Sequence, residues 1–256
     1  MKINYKLIIG IIAVCIIGVT IVVGLRACDN KKNKITENHV TQSAPTYVNR
    51  VHNLIILDES WSMSGLEAVS VSGVNETINT IKEAYRNNSE QEQLLTMVTF
   101  SFDNGLRIVH HYDYENIKDI QYMEANRFQP SGMTPLWDAI GCMCAKIEEE
   151  GRSEDIVLVT IITDGLENAS TRYDRTRIRQ LINRLDKKGW VFTYIGANQD
   201  AASIADSMGI RNAMEYDSDE IGTKAMWEKE NNSRKLFYER TQTTKSKSEL
   251  KDKYFE

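Results

Sequence analysis

The apolar run VHNLIILD, residues 51–58, is followed directly by the polar stretch ESWSMSG, residues 59–65. The first of these runs is rich in β-branched and other apolar side chains, which is typical of a buried strand. It ends in an aspartate, and serines follow at alternate positions. Because residues two apart in an extended turn point the same way, the sequence predicts a strand whose carboxyl end presents Asp58, Ser60 and Ser62 together.

The rest of the chain predicts an α/β fold around that strand. Four further apolar runs predict strands at residues 94–102, 106–112, 155–164 and 190–197, with helices at about 66–86, 134–150, 172–188 and 199–208. Such alternation is typical of a doubly wound, mostly parallel, Rossmann-like sheet with helices on both faces. The runs 94–102 and 106–112, joined by DNG, predict a hairpin and therefore one antiparallel edge strand.

Two other segments are expected to meet this strand end, because ligands in such sheets bind where loops converge at the carboxyl ends of the strands. The run DIVLVTIITDG places Asp164 at the end of a strand, and PSGMTPLWDAI places Thr134 at the start of a helix. With the first loop they offer three hydroxyl oxygens and two carboxylates. This is the ligand chemistry of a hard divalent cation, Mg²⁺ or Mn²⁺, with waters completing an octahedron.

In these segments the sequence resembles the von Willebrand factor type A (VWA) domain, whose metal-ion-dependent adhesion site (MIDAS) has the pattern D-x-S-x-S, a separate Thr and a separate Asp. It is most similar to a bacterial and phage-type branch with DESGSM, TPLYDAIG, TDGEENAS and GANQDA. This chain has DESWSM, TPLWDAIG, TDGLENAS and GANQDA in the same order. The resemblance covers roughly residues 48–216. It implies that Ser60, Ser62 and Thr134 ligate one Mg²⁺ or Mn²⁺, while Asp58 and Asp164 act largely through bound water.

The resemblance also implies a function. If both carboxylates bond through water, the metal keeps much of its charge and an open position. An Asp or Glu of a protein partner would then supply the last ligand. Trp61 stands where the similar branch has glycine, and we predict it as a partner-binding residue because tryptophan is favoured at interface hot spots. Packing on its own loop and blocking of large ligands are its alternatives.

Two other functions stay open. One is an Mg²⁺-dependent hydrolase or phosphoryl-transfer enzyme, with Asp58 as nucleophile or metal ligand and Asp164 as a second ligand. The loops suggest no general acid or base and no phosphate-binding basic residue, so we expect a protein that is not an enzyme. The other is a metal-free scaffolding VWA domain. Asp138 and Glu167, acids near the same rim, are interpreted as hydrogen-bonding residues of a helix or loop.

The N-terminal segment predicts attachment to a membrane. Residues 7–25 contain no charge and lie between Lys6 and Arg26. As a helix they would span ~28 Å, which predicts a single-pass, uncleaved membrane anchor within residues 1–25. A cleaved signal peptide is the alternative, although its apolar core is usually shorter. A lipoprotein is a third possibility, because LRAC, ending at Cys28, resembles a processing box.

Charge and composition bear on the membrane orientation, the class of partner, the linker and the C-terminal segment. Basic residues flank the apolar segment on both sides, so the positive-inside rule leaves the side of the membrane open. The net charge of −5 argues against a nucleic-acid partner, which would require a concentrated basic surface. Residues 26–47 read as a polar linker. Residues 217–256 are predicted to form a C-terminal helix followed by a charged tail, TKSKSELKDKYFE, that lacks fixed structure.

Overall fold

A computed structural model describes residues 50–244 and 246–256. The predicted membrane span at residues 7–25, the linker at 26–47 and Cys28 lie outside the described residues. Within the described part of the chain, no helix has the length and apolar character needed to cross a bilayer.

A six-stranded sheet forms the centre, in the order β3-β2-β1-β4-β5-β6. Its strands are β1 (Arg50–Asp58), β2 (Glu92–Phe102), β3 (Leu106–Asn116), β4 (Ile156–Thr163), β5 (Val191–Ala197) and β6 (Asn212–Tyr216). All neighbouring pairs are parallel except β2 and β3, which form an antiparallel hairpin. The five predicted strands and the reversed edge strand are therefore confirmed. The short strand β6 was not predicted.

Helices cover both faces of this sheet. They are α1 (Glu67–Asn87), α2 (Leu136–Glu150), α3 (Arg175–Lys187), α4 (Ala201–Met208) and α5 (Glu220–Thr243). The cores on the two faces are separate: one joins the sheet to α1 and α5, and the other joins it to α2, α3 and α4. All nine residues of β1 and all eight of β4 are buried, which explains why both strands are mostly apolar in sequence.

The order of the strands creates a crevice at the carboxyl ends of β1 and β4. After β1 the chain builds β2 and β3 on one side, and it then crosses back through α2 to build β4 on the other side. Ligands of open α/β sheets bind at such a switch point. Asp58 ends β1, and Asp164 directly follows β4, so the topology places both carboxylates at this crevice.

A buried polar network attaches α5 to the middle of the sheet. The side chains of Arg234 and Glu230 are fully buried, and Nη2 of Arg234 lies 2.6 Å from Oε1 of Glu230. The guanidinium also donates to Asn53 of β1 at 2.9 Å and to Thr160 of β4 at 2.8 Å. The helix therefore reaches the two central strands through charge-assisted hydrogen bonds.

The charged C-terminal tail joins the same network, so the expectation that it lacks fixed structure is wrong. Lys247–Leu250 forms a 3₁₀ turn, and both Leu250 and Tyr254 are buried in the core with α5. The Tyr254 hydroxyl donates to Glu230 at 3.0 Å. Burial of these two apolar residues outweighs the polar composition that suggested disorder.

Candidate metal site

The loop after β1 brings its polar side chains together. Asp58 is completely buried. Its Oδ1 accepts the backbone N–H of Ser60 at 2.8 Å, and its Oδ2 accepts the hydroxyl of Thr163 at 2.6 Å. A single 3₁₀ turn, Trp61–Met63, then places the Oγ of Ser62 3.1 Å from the Oγ of Ser60. The three side chains therefore come together as predicted, but a 3₁₀ turn brings Ser62 there and not the extended turn on which the prediction rested.

Asp164 closes the site from the side of β4. Its Oδ1 accepts the hydroxyl of Ser62 at 2.5 Å. Its Oδ2 accepts the hydroxyl of Ser218, at 3.3 Å, from the segment between β6 and α5. Sequence reasoning missed Ser218, because the strand that positions it is short and was not recognised.

Thr134 reaches the same point from the start of α2. It is buried, and its backbone N–H and carbonyl both pair with Asn168, at 2.8 Å and 3.2 Å. An added Cβ on Gly165 would lie 2.8 Å from the Oγ1 of Thr134 and 3.7 Å from the Oδ2 of Asp58. The three loops therefore meet over Gly165, where only a residue without a side chain leaves room.

Glu59 fixes the position of the first loop. Its carboxylate is buried and accepts hydrogen bonds from the hydroxyl of Thr99 at 2.8 Å, Nη1 of Arg107 at 2.9 Å and the backbone N–H of Gln129 at 2.6 Å. These partners lie on β2, on β3 and in the loop that leads to Thr134. Sequence reasoning missed this residue, because it fills a variable position of the D-x-S-x-S pattern.

Asp138 and Glu167 have the hydrogen-bonding roles that the sequence analysis favoured. Asp138 is buried and accepts the backbone N–H groups of residues 171–173. Glu167 accepts those of Trp137 and of residues 169–170. Both carboxylates therefore hold the loop of residues 167–173 against the N-terminal turn of α2.

The electrostatics of the site suit a cation. Burial raises the pKa of Asp58 to about 7, although the hydrogen bonds from Thr163 and Ser60 act in the opposite direction. Burial also raises the pKa of Asp164. Both carboxylates are thus costly to ionise while no positive charge is near, and a divalent cation between them would offset that cost.

The donor set is chemically compatible with a hard divalent cation such as Mg²⁺ or Mn²⁺. All candidate donors are hydroxyl or carboxylate oxygens, which hard cations prefer. In residues 50–244 and 246–256, no cluster of three His, Cys, Asp or Glu side chains could hold a metal by itself. A metal at this crevice would therefore depend on the hydroxyls of Ser60, Ser62 and Thr134.

Solved structures with the same arrangement of strands and helices include VWA domains. This chain is similar to the SpRpn10 VWA domain, with a TM-score of 0.50 and 12% identity over 69% of this chain and 93% of that domain. It is similar to a von Willebrand factor type A protein from Catenulispora acidiphila, with a TM-score of 0.50 and 15% identity over 73% and 43% of the two chains. No protein-family model and no curated protein matches the sequence.

A pilus adhesin shares the fold as well. The open conformation of SpaC from Lactobacillus rhamnosus GG has a TM-score of 0.55 and 13% identity, over 75% of this chain and 31% of the adhesin. The chain thus spans less than half of the Catenulispora protein and of SpaC, but nearly all of the SpRpn10 domain. Together these likenesses show that the chain has the VWA fold.

Proposed function

We propose that this chain is a membrane-tethered VWA domain that binds a protein partner through Mg²⁺ or Mn²⁺. The observation that carries the proposal is the convergence of three loops at the switch point of the sheet. There Asp58 is buried, Ser62 bridges Ser60 and Asp164, and Thr134 faces the same space over Gly165.

The residues of this crevice would have two different roles in binding. The hydroxyls of Ser60, Ser62 and Thr134 would hold the cation, and the carboxylates of Asp58 and Asp164 would orient them. The bound cation would supply positive charge and an open position for an acidic side chain of the partner. We assign no catalytic residue. The membrane anchor at residues 7–25 and the partner-binding role of Trp61 belong to the same proposal.

A metal titration tests the site. We expect Mg²⁺ and Mn²⁺ to bind residues 46–256 saturably and to raise their unfolding temperature further with each increase in concentration, because a ligand that binds only the folded state stabilises it by about 2.7 kcal/mol at a concentration of 100 Kd. Ser62→Ala and Asp58→Ala should abolish this stabilisation, since each removes an oxygen from the crevice. Calorimetry and thermal unfolding with increasing metal measure the effect.

Ser64→Ala is the matched control. Ser64 is an exposed serine of the same loop, outside the crevice, so its loss should leave metal binding unchanged. Absence of binding in the millimolar range, with parent and variants equally stable, would contradict the proposal. That result would favour a metal-free scaffolding domain instead.

Crowding the crevice without removing an oxygen gives an independent prediction. We expect Gly165→Ala to weaken Mg²⁺ binding about 10-fold or more, because the new methyl group would displace the Oγ1 of Thr134. Gly105→Ala is its control: Gly105 has a φ of +156° and open space around it. That change should lower the unfolding temperature through backbone strain and leave metal affinity unchanged. Equal metal affinities in the two variants would show that Thr134 does not contribute.

A further inference from the structure

Exposed large apolar side chains concentrate at the edge of the sheet that holds the candidate metal site. Within the described residues six such side chains are exposed, and four of them lie in the loops of the site or at the helix end beside it: Trp61 (70% exposed), Met133 (47%), Leu166 (62%) and, in the first turn of α5, Ile221 (82%). We call these four residues the apolar collar. Single exposed apolar residues are common on protein surfaces, but a group at one edge indicates an interaction surface.

Position in the sequence ties each collar residue to the site. Trp61 lies between two of the candidate ligands, and Met133 directly precedes a third. Leu166 follows Asp164 by two positions, and Ile221 follows Ser218 by three. Three loops and the first turn of α5 thus each contribute one large apolar side chain close in sequence to a polar group of the crevice.

Hydrogen bonds hold these three loops and the loop that precedes α5 together. The backbone N–H of Trp61 donates to the carbonyl of Gly132 at 3.0 Å, which joins the first loop to the second. The backbone pair between Asn168 and Thr134, at 3.2 Å, joins the second loop to the third. The hydroxyl of Ser218 joins the fourth loop to Asp164. The backbones that carry the collar therefore form one connected surface around the crevice.

We propose that the apolar collar is the contact surface for a protein segment in which a carboxylate is flanked by apolar side chains. This inference rests on the proposed metal site, which would receive the carboxylate at the centre. Apolar side chains around it would exclude water, and an ionic contact is stronger where water is excluded. Energetically dominant contacts surrounded by a water-excluding rim are the usual design of interface hot spots.

The charges beside the collar favour a protein over an anionic lipid surface or a nucleic acid. Asp217, Asp219 and Glu220 are exposed in the segment that carries Ser218 and Ile221. Anionic headgroups and phosphates would be repelled by these carboxylates. A protein segment can instead place its acid on the metal and basic or neutral groups opposite the three acids.

Selection from a peptide library tests this inference. The probe is a library of random heptapeptides with aspartate fixed at the centre, displayed on phage. It is selected in Mg²⁺ against the full chain kept in solution with a mild detergent. We expect the selected peptides to carry apolar residues next to the aspartate. A synthetic peptide of that sequence should bind about 10-fold more weakly to Trp61→Ser and to Leu166→Ser than to the parent chain.

Three controls separate the collar from the metal site. Leu236→Ser removes a 49% exposed apolar side chain of α5 outside the collar and should leave binding unchanged. Asn in place of the central Asp, or Ser62→Ala in the chain, should abolish binding if the metal site is real. Mg²⁺-dependent peptides without apolar neighbours, or equal losses in Leu236→Ser and the collar variants, would overturn the collar and leave the metal site standing. Failure to select any Mg²⁺-dependent peptide would overturn both.

Discussion

Replacement of Arg234 by methionine is expected to lower the free energy of unfolding by about 3–5 kcal/mol, which is the usual cost of breaking a buried ion pair from one side. Methionine has a similar length but no charge and no donors. The change would leave the buried carboxylate of Glu230 without its cation, and Asn53 and Thr160 would each lose a hydrogen bond from the guanidinium. Urea unfolding of residues 46–256, the unit to which the described residues belong, measures the loss.

The next residue along α5 provides the control. Lys235 forms an ion pair with Glu83 at 3.7 Å, and both side chains are about half exposed. Lys235→Met should therefore cost less than about 1 kcal/mol. Adding Glu230→Leu to Arg234→Met should recover much of the stability, because the remaining buried charge is then gone. Equal effects of the two single changes would show that the buried pair does not hold α5.

Gly73→Ala is expected to destabilise the domain by about 2 kcal/mol or more, although alanine is normally favoured over glycine inside a helix by about 1 kcal/mol. Gly73 lies in α1, and an added Cβ would stand 2.2 Å from the ring of Trp227 in α5. Trp227 is buried and cannot turn aside, so the two helices would have to separate. Urea unfolding measures this change in stability as well.

Gly141→Ala tests whether the cost comes from the rigid neighbour. An added Cβ there would lie 2.5 Å from the ring of Tyr173, but Tyr173 is partly exposed and can move toward solvent. We expect little loss of stability at this position. In a Trp227→Leu background, which is itself less stable, Gly73→Ala should cause no further loss, because the ring that the new methyl group would meet is gone. If Gly73→Ala is as mild as Gly141→Ala, the contact between α1 and α5 is looser than the structure indicates.

Those parts of the fold and site that depend on local patterns could be predicted from the sequence. The strands β1 and β4 are buried on both faces, so both are mostly apolar in sequence, with His52 and Asn53 as polar exceptions in β1. The DNG turn correctly predicted the hairpin of β2 and β3. The spacing of Asp58, Ser60 and Ser62 predicted that they converge, and they do, although a 3₁₀ turn and not an extended turn places Ser62.

Those parts that depend on distant contacts could not be predicted. Strand β6 has only five residues and alternates in burial, so its apolar signal is weak. Without it, nothing indicated that Ser218 would reach Asp164. Because the tail is polar in composition, the sequence did not predict that Leu250 and Tyr254 are buried. Their burial depends on the surface that α5 provides. Thr163, which supports Asp58, reads in the sequence as one more β-branched residue of a strand.

The buried network between α5 and the sheet also bears on the order of folding. Asn53 and Arg234, which it joins, are 181 positions apart in the chain. Folding slows as contacts connect more distant residues, because the entropy of closing the intervening loop must be lost first. The side-chain oxygen of Asn53, in the central strand, accepts hydrogen bonds from Arg234 and Tyr238, both in α5. The middle of the sheet therefore completes its hydrogen bonds only after helix α5 has docked, so the earliest of the described strands is among the last parts to reach its final state.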